Sequence, residues 1–485
     1  MENADPTLIN EDLAPTPIEG RTWSVHHMAS LWIGMVVCVP TYMLAGGLIE
    51  LGMSAWQALF TITVGNAIVL VPMILNGHGG TKYGVPFPVL ARASFGILGA
   101  NIPALLRGIV ACGWFGIQTW IGGSAIYQLI NVISGDFLVG DALPLLGINA
   151  GQFGCFLLFW ALQVWIIWKG VESIKIFETY AAPVLVAAGF LLLVWAYQAA
   201  DGFGGVFAKE SEFTTVGSFM TVFIPSLTAM VGFWATLSLN IPDFTRYAKS
   251  QRDQVLGQAI GLPLFMLLFS FIGVAVTAAT PAIFGVDKPV SDPVEMLGMM
   301  ESGVSVIVAL AILTIATLST NIAANVVAPA NAIINLSPTK ASFRTGALVT
   351  AGIGVAIFPW KIMSSAGSYI FVWLGGYSTL LGPIAGILIA DYFIFRKTRL
   401  ELAALYRREG RYWYGNGYNA KALVALVVGI LPCIPGFLVA AGAMDSTWSG
   451  FTEIFRYGWF FGFFVSGIVY LVLMGFREES METAS

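Results

Sequence analysis

The chain has 485 residues, of which 57% are hydrophobic and only 10% are charged, whereas a soluble domain carries about 25% charged residues. So few charges cannot cover the surface of a soluble protein of 52.0 kDa, which argues against a soluble multidomain enzyme. The net charge of −4 and the lack of a basic stripe argue against nucleic acid as a partner. The four cysteines lie in apolar stretches without disulfide or metal-ligand spacing.

Twelve apolar runs follow one another along the chain, each close to the roughly 20 residues that a membrane-spanning helix needs. No soluble domain interrupts them, and the longest polar connection is 396–420. The sequence therefore predicts an all-α polytopic protein in a lipid bilayer. The predicted spans are 27–50, 54–76, 102–133, 149–168, 177–200, 217–241, 255–284, 302–335, 343–360, 366–395, 421–441 and 456–476.

The Lys and Arg residues predict the orientation, because cytoplasmic loops carry an excess of them. With the N-terminal tail 1–26 inside, 18 of these side chains fall on the cytoplasmic side and four on the other. The tail is acidic and lacks the pattern of a signal peptide. We therefore expect a multi-pass protein of the cell (cytoplasmic or inner) membrane, with both termini in the cytoplasm.

Two spans carry helix-breaking residues at corresponding positions. Span 1 contains Pro40 and the pair Gly46–Gly47, and span 6 contains Gly232. Such residues are common packing points in membrane helices. Interrupted helices at matching positions of two halves, however, indicate the midplane site of an inverted-repeat transporter. We expect two repeats, 27–200 (spans 1–5) and 215–395 (spans 6–10), then the loop 396–420, spans 11–12 within 421–476 and the tail 477–485.

The ionisable residues of the candidate core spans fall near the span ends. They include Glu50, Arg107, Asp243 and Asp391, and we interpret them as interfacial or packing groups rather than parts of a translocation path. A path lined by neutral groups suits a neutral polar solute.

Span 3 contains Trp114 and Gln118 four residues apart, and so on one helix face. An indole beside a carboxamide offers a stacking surface and a donor–acceptor edge, which suits a flat heterocycle with ring N–H and C=O groups. The alternative is that these aromatic residues face lipid or pack against other helices.

Span 8 places Ala316, Ser319 and Thr320 at i, i+3 and i+4, so that one carbonyl and two hydroxyls can converge. Uncharged oxygen ligands suit Na⁺, although small and hydroxyl residues also permit tight helix packing. Asn321 and Asn325 share a different face, where they offer amides to a solute or to a neighbouring helix.

The motifs taken together resemble the nucleobase–cation symporter family, the permeases for cytosine and purines, uracil, allantoin and hydantoin, most closely its bacterial allantoin, hydantoin and uracil members. The matching stretches are NEDLAPTP and RTW before span 1, LNGHGGTKYGVPFPVLARASFG, NIPALLR, WFGIQTW, LNIPDFTRYA, LSTNIAANVVAPA and GPIAGILIADYF. The resemblance implies a leucine-transporter-type fold of five plus five helices with two extra C-terminal helices. It also implies alternating access, with the solute held between spans 1, 3, 6 and 8.

The resemblance further implies roles for individual residues. Trp114 and Trp234 would stack on the two faces of the ring, and Gln118 and Asn325 would hydrogen-bond its edge. Sodium would be bound by the residues Gly34, Val37 and Ala316 through backbone carbonyls, and by Ser319 and Thr320 through hydroxyls.

Two residues depart from the family pattern. Cys38 stands where hydantoin and allantoin permeases have Gln or Asn in the broken part of span 1, and a thiol is a weak hydrogen-bonding group. Phe233 stands where the hydantoin permease has glycine, which would shrink the pocket. We therefore expect allantoin, uracil or hydantoin-type solutes about equally, with cytosine and larger purines behind.

Other functions lack their sequence signals. No paired carboxylates, metal-ligand spacing or phosphate-binding loop lies within the spans, so we expect a transporter and neither an enzyme nor a cofactor. Neither a filter repeat nor a charged ring of a channel is evident. Proton coupling remains the alternative to Na⁺, and an amino-acid transporter of the same fold is a further alternative. We expect no obligate protein partner.

Overall fold

The computed structural model describes residues 4–169, 171–300 and 303–476, and side chains at 171–182, 319, 323 and 327 are outside the description. The predicted tail 477–485 lies outside the described residues. The first half of the described chain consists of helices α1 Val25–Val36, α2 Val39–Glu50, α3 Ala55–Tyr83, α4 Phe87–Phe95, α5 Asn101–Ser134, α6 Ala150–Lys169, α7 Val171–Ala199, α8 Gly204–Ala208, α9 Val216–Asn240, α10 Pro242–Thr245 and α11 Gln251–Phe284.

The second half of the described chain is also helical. Its helix at Gly375–Ile389, α17, is extended at both ends by π-helical turns, Ser368–Leu374 and Ala390–Phe395. The remaining α-helices are α12 Pro293–Met299, α13 Val304–Asn325, α14 Val327–Leu336, α15 Phe343–Ala356, α16 Pro359–Ile362, α17 Gly375–Ile389, α18 Ala420–Ile430, α19 Ile434–Ala440, α20 Ser449–Arg456 and α21 Gly458–Met474.

The helices match the predicted apolar runs. Among the described residues, eight helices are long and apolar enough to cross a membrane, and ten when each of two bent pairs, α1–α2 and α20–α21, is one span. Two shorter apolar helices, Pro183–Ala199 and Phe343–Ala356, occupy the positions of the predicted spans 5 and 9. This architecture confirms the all-α polytopic fold and is consistent with twelve spans.

Local sequence sets where the helices begin and end. Helix α3 starts at Ser54, whose hydroxyl accepts from the Gln57 amide while the Gln57 side chain accepts from the Ser54 amide. The helix ends at Gly84, whose φ of 72° lies in the left-handed region that favours glycine.

The interruption predicted for span 6 is wrong. Helix α9 runs without a break from Val216 to Asn240, and Gly232 lies inside it. A Cβ at Gly232 would collide with the Ser378 hydroxyl and the Leu374 carbonyl of the neighbouring helix. Glycine is needed here because two helices approach closely, and not because the chain unwinds.

Ten of the described helices form two groups. Helices α1, α2 and α3 pack around α11, and α3 also packs on α9; we call these five helices the first group. Helices α6, α13, α14 and α15 pack around α5, and we call these five the second group. Contacts between the groups, such as those of α1 with α13 and of α5 with α9, are sparser. The candidate site lies where the groups meet.

Both described ends of the chain lie at one end of the helix assembly, which we call the terminal face. The Tyr406 hydroxyl donates to the Leu13 carbonyl at 2.6 Å, and Arg408 forms a partly exposed ion pair with Asp5 at 2.9 Å. Hydrogen bonds from Thr7 lower the pKa of Asp5. An exposed pair contributes at most about 1 kcal/mol, so the packing of Leu13 under the loop after α17 is the stronger attachment.

Candidate functional site

The first element of the site is the break between α1 and α2, where the axis bends by 59°. The Cys38 amide donates to the Val36 carbonyl at 2.9 Å, and the Thr41 amide donates to the Cys38 carbonyl at 3.1 Å. In an unbroken helix these two amides would donate to the carbonyls of Gly34 and Val37. The break therefore removes the helical donors of the two carbonyls that the resemblance assigns to sodium.

A cavity of about 40 Å³ lies against this break, between α2, α5, α9 and α13. Such a volume has room for a few water molecules at most, so a heterocycle requires its walls to move. Spans 1, 3, 6 and 8 thus surround one cavity. Its lining includes every residue predicted to contact the solute: Cys38, Trp114, Gln118, Phe233, Trp234 and Asn325.

Aromatic rings form one wall of the cavity. The ring centroids of Trp114 and Phe233 are 5.3 Å apart, and those of Phe233 and Trp234 are 4.9 Å apart, with both pairs edge-to-face. Trp234 also packs edge-on against Trp32 at 5.2 Å. Phe233 therefore contacts both tryptophans that the resemblance places on the two faces of the solute.

The long helix that contains α17 holds this wall in position. Its Tyr369 hydroxyl donates to the Pro40 carbonyl at 3.2 Å, and its Tyr377 hydroxyl donates to the Gly232 carbonyl at 2.9 Å. Both tyrosine rings also lie edge-on to Trp114. One helix thus connects span 1, span 3 and span 6 beside the cavity.

Among the described side chains, three residues of the lining carry buried polar atoms without a hydrogen-bond partner: the Gln118 Oε1, the Trp234 Nε1 and the Arg107 Nη1. A buried polar atom left unpaired costs about 1–3 kcal/mol. A ligand that supplies a donor to Gln118 and an acceptor to Trp234 would recover part of that cost. The cavity therefore suits a planar molecule with both N–H and C=O groups.

Asn325 is oriented by a buried polar network that the sequence did not predict. Its Nδ2 donates to the Asn321 Oδ1 at 2.9 Å, and the Asn321 Nδ2 donates to the Gln163 Oε1 at 2.7 Å and the Phe115 carbonyl at 2.9 Å. The Gln163 amide in turn donates to the Thr119 hydroxyl at 2.9 Å. Asn325 thus faces the cavity, whereas Asn321 faces the neighbouring helices α5 and α6.

The predicted sodium ligands are partly described. Thr320 lines the cavity, and its hydroxyl donates to the Ala316 carbonyl at 3.0 Å. A Cβ at Gly34 would meet no described atom of another residue within 4 Å. The Ser319 side chain lies outside the described residues. Hydroxyl and carbonyl oxygens are the ligand types that suit a hard monovalent cation.

The sequence predicts Arg107 at an interface or in a packing network, and the structure places it in the interior, where it hydrogen-bonds Asn240. The Arg107 side chain lines the cavity and is 2% exposed. The spacing held a signal, because Arg107 precedes Trp114 by seven residues and so lies on the same helix face two turns away. Thr236 also lines the cavity, and no comparable spacing in the sequence indicated it.

Comparison with known proteins assigns this architecture to a family. A family model described as "Permease for cytosine/purines, uracil, thiamine, allantoin" matches residues 15–462. The chain belongs to this family, the nucleobase–cation symporters. The predicted family is confirmed, and the chain is a multi-pass membrane transporter rather than an enzyme.

Two relatives of known name are similar along almost the whole chain. The purine-uracil permease NCS1 of Arabidopsis thaliana is 48% identical over 99% of this chain and 80% of its own length. The allantoin permease of Bacillus subtilis (strain 168) is 40% identical over 96% of this chain and 93% of its own length.

The fold is that of a solved nucleobase–cation symporter. An inward-facing structure of Mhp1 superposes with a TM-score of 0.77 at 25% identity, covering 97% of this chain and 95% of Mhp1. A closed structure of Mhp1 with bromovinylhydantoin bound gives a TM-score of 0.74 at 26% identity, covering 97% and 96%. The predicted leucine-transporter-type fold is supported at the level of the whole architecture.

Proposed function

We propose that this nucleobase–cation symporter imports a small, neutral, flat heterocycle of the allantoin, uracil or hydantoin type together with Na⁺. The observation that carries the solute class is the pair of unpartnered atoms, the Gln118 Oε1 acceptor and the Trp234 Nε1 donor, in one aromatic-walled cavity. An amino acid would instead bring a carboxylate to a cation or to a helix N-terminus, so an amino acid is included among the solutes compared below.

The solute would bind by stacking and edge contacts. Its ring would lie against the Trp114 indole and reach Trp234 once Phe233 moves aside, since Phe233 contacts both indoles. The ring N–H would donate to the Gln118 Oε1. Asn325 would add a hydrogen bond to the solute, and its side chain is oriented by the hydrogen bond from its Nδ2 to the Asn321 Oδ1. Stacking contributes about 1–3 kcal/mol per base in other proteins.

Sodium would bind at the break in span 1, beside α13. The break leaves the carbonyls of Gly34 and Val37 without helical donors, and α1 contacts α13, which carries Ala316 and Thr320. Thr320 also lines the solute cavity, so an ion at this point would order a side chain close to the solute. That proximity supports mutual strengthening of the two binding events.

Transport would proceed by alternating access, with the termini in the cytoplasm. The two helix groups meet at the cavity and have sparser contacts with each other than within themselves, which suits movement of one group against the other. The terminal face carries the basic loop 396–420, as expected of a cytoplasmic face.

A thermal-stability screen of the purified protein tests this proposal. Allantoin, uracil, hydantoin, cytosine and L-phenylalanine are compared at fixed ionic strength, in Na⁺ or in choline. A ligand at a hundred times its Kd stabilises the folded state by about 2.7 kcal/mol. We expect stabilisation by at least one of the first three solutes, larger in Na⁺.

Matched variants locate the site. Gln118→Leu removes the unpaired acceptor and should abolish the solute-dependent shift, whereas Gln198→Leu, at an exposed position near the end of α7, should retain it. Stabilisation by phenylalanine alone would refute the proposal that the solute is a heterocycle. Equal shifts in Na⁺ and choline, with uptake that collapses on adding a protonophore, would establish proton coupling instead.

A further inference from the structure

Arg107 lies at the end of the cavity nearer the terminal face, in the first third of α5. It precedes Trp114 by seven residues and Gln118 by eleven, so the three side chains follow one another along the same face of the helix at about 1.5 Å of rise per residue. All three line the cavity, and Arg107 is 2% exposed. A cation buried in a membrane protein is costly and usually functional.

The partners of Arg107 do not saturate its guanidinium. Its Nε donates to the Asn240 Oδ1 at 3.1 Å, which is a neutral amide. The carboxylate of Asp243 accepts from the Asn240 Nδ2 at 3.0 Å and from the Phe87 amide at 2.8 Å. Its charge attracts Arg107 without a direct hydrogen bond between the two side chains. The Arg107 Nη1 has no hydrogen-bond partner in the part of the chain that the structure describes. A buried charged donor therefore remains available beside the cavity.

We propose that Arg107 binds a ring carbonyl oxygen of the solute and thereby selects oxo-heterocycles over their amino counterparts. This inference rests on the proposed function. A charge-assisted hydrogen bond from a guanidinium to a carbonyl is stronger than a neutral one. An exocyclic amino group at the same ring position would place a donor against the Arg107 N–H groups, and arginine has no acceptor.

The same chemistry refines the solute class. The cavity lining contains an acceptor in Gln118 Oε1 and donors in Trp234 Nε1 and Arg107 Nη1. A ring that carries both C=O and N–H groups, as an imide does, offers a partner to both kinds of atom. Discrimination of this kind is large because the wrong solute leaves buried groups unpaired.

Binding of paired solutes tests the proposal. Affinities for uracil and cytosine, and for 1-methylhydantoin and creatinine, are measured on the purified wild-type protein, Arg107→Gln and Arg107→Lys. In each pair an oxo group is replaced by an amino group and the adjacent ring N–H by an acceptor nitrogen, so the change of the affinity ratio between wild type and variant is what reports on Arg107. We expect the wild type to prefer the oxo member by at least about tenfold. In Arg107→Gln the oxo affinity should fall by about 10- to 100-fold and the amino affinity by much less.

Two further comparisons, with Arg107→Lys and within the wild type, show whether Arg107 binds the solute or only stabilises the fold. Arg107→Lys should retain part of the oxo preference, because the ammonium still donates. An equal loss for both members of a pair, with the ratio unchanged, would show that Arg107 is only structural and would overturn the proposal. If Arg107→Gln fails to fold, the ratio of the wild-type affinities for the oxo and amino members still tests the proposal. Equal affinities for the two members would refute selection by a donor.

Failure of the proposed function gives a different result. In that case the wild type binds none of the four heterocycles, nor allantoin. If allantoin alone binds, its affinity should fall by the same factor in Arg107→Gln and by less in Arg107→Lys. An unchanged allantoin affinity in both variants would refute the role of Arg107 while leaving the transporter assignment intact.

Discussion

Phe233 packs edge-on against Trp114, with ring centroids 5.3 Å apart and ring planes at 81°. The same phenyl ring lies 4.9 Å from Trp234 at 86°. Phe233 thus occupies the space beside both indoles in a cavity of only about 40 Å³. If the solute lies between the two indoles, as proposed, the size of Phe233 limits the size of the solute.

We predict that Phe233→Ala shifts the preference toward larger solutes. The substitution removes a ring from the cavity wall, so a hydantoin with a bulky 5-substituent should gain at least about tenfold in affinity relative to unsubstituted hydantoin, as a lost steric clash allows. Competition binding measures the ratio. The control is Phe115→Ala, which changes a fully buried residue on another face of α5. If the ratio of the two hydantoin affinities changed equally in both variants, the prediction would be contradicted.

Trp114→Ala should weaken solute binding by about 10- to 100-fold, because the stacking surface is lost. Trp120→Ala is the matched control on the same helix, since Trp120 packs against Phe156 and Trp360 away from the cavity. Equilibrium binding on both variants checks the expectation. Equally mild effects would place the solute elsewhere.

Thr320→Ala should abolish the enhancement of solute binding by Na⁺ and leave much of the sodium-free affinity. Coupling between two binding equilibria is reciprocal, so sodium affinity should also lose its dependence on the solute. Thr314→Ala is the control, because both threonine hydroxyls donate to the carbonyl four residues earlier on α13, at 3.0 Å for Thr320 and 2.8 Å for Thr314. Retention of the sodium effect in Thr320→Ala would remove this residue from the ion site.

Asp292, which lies on the face opposite the termini, should make the stability of the folded protein depend on pH. Burial, with Glu295 and Glu50 nearby, raises the pKa of Asp292 from 3.8 to about 6. The folded state then holds a proton that the unfolded state releases, so stability falls as pH rises from about 4 through about 6. Thermal unfolding in detergent across this range measures the trend.

Asp292→Asn should flatten that part of the pH profile while keeping the helix cap. The Asp292 Oδ1 accepts from the Val294 amide at 2.8 Å, and asparagine caps helices as well as aspartate does. An Asn variant with an unchanged profile would assign the pH dependence to another group.

Orientation is testable by labelling single cysteines. Glu409→Cys, exposed in the loop 396–420 at the terminal face, should be protected from an external impermeant thiol reagent in intact cells. Asp287→Cys, exposed after α11 on the opposite face, should be labelled. The four native cysteines are buried and give a low background. Labelling of position 409 alone would reverse the proposed topology.

Much of the site was predictable because its residues follow from local features of the sequence. Trp114 and Gln118 share a face through i, i+4 spacing, and the break near Pro40 follows from a residue that has no amide hydrogen. The break in span 6 was not predictable in the same way. Glycine signals either unwinding or a close helix contact, and only the position of Ser378 decides between them at Gly232.

The sequence by itself determined the membrane class, the positions of the apolar spans and the family, because hydrophobicity and motif order are properties of the chain alone. Tertiary structure decided which polar atoms are left without partners. Arg107 lies in the cavity and keeps its Nη1 unpaired because Asn240, on another helix, accepts only from its Nε. Pairing between distant helices depends on packing distances of a few ångströms, and no local pattern encodes them.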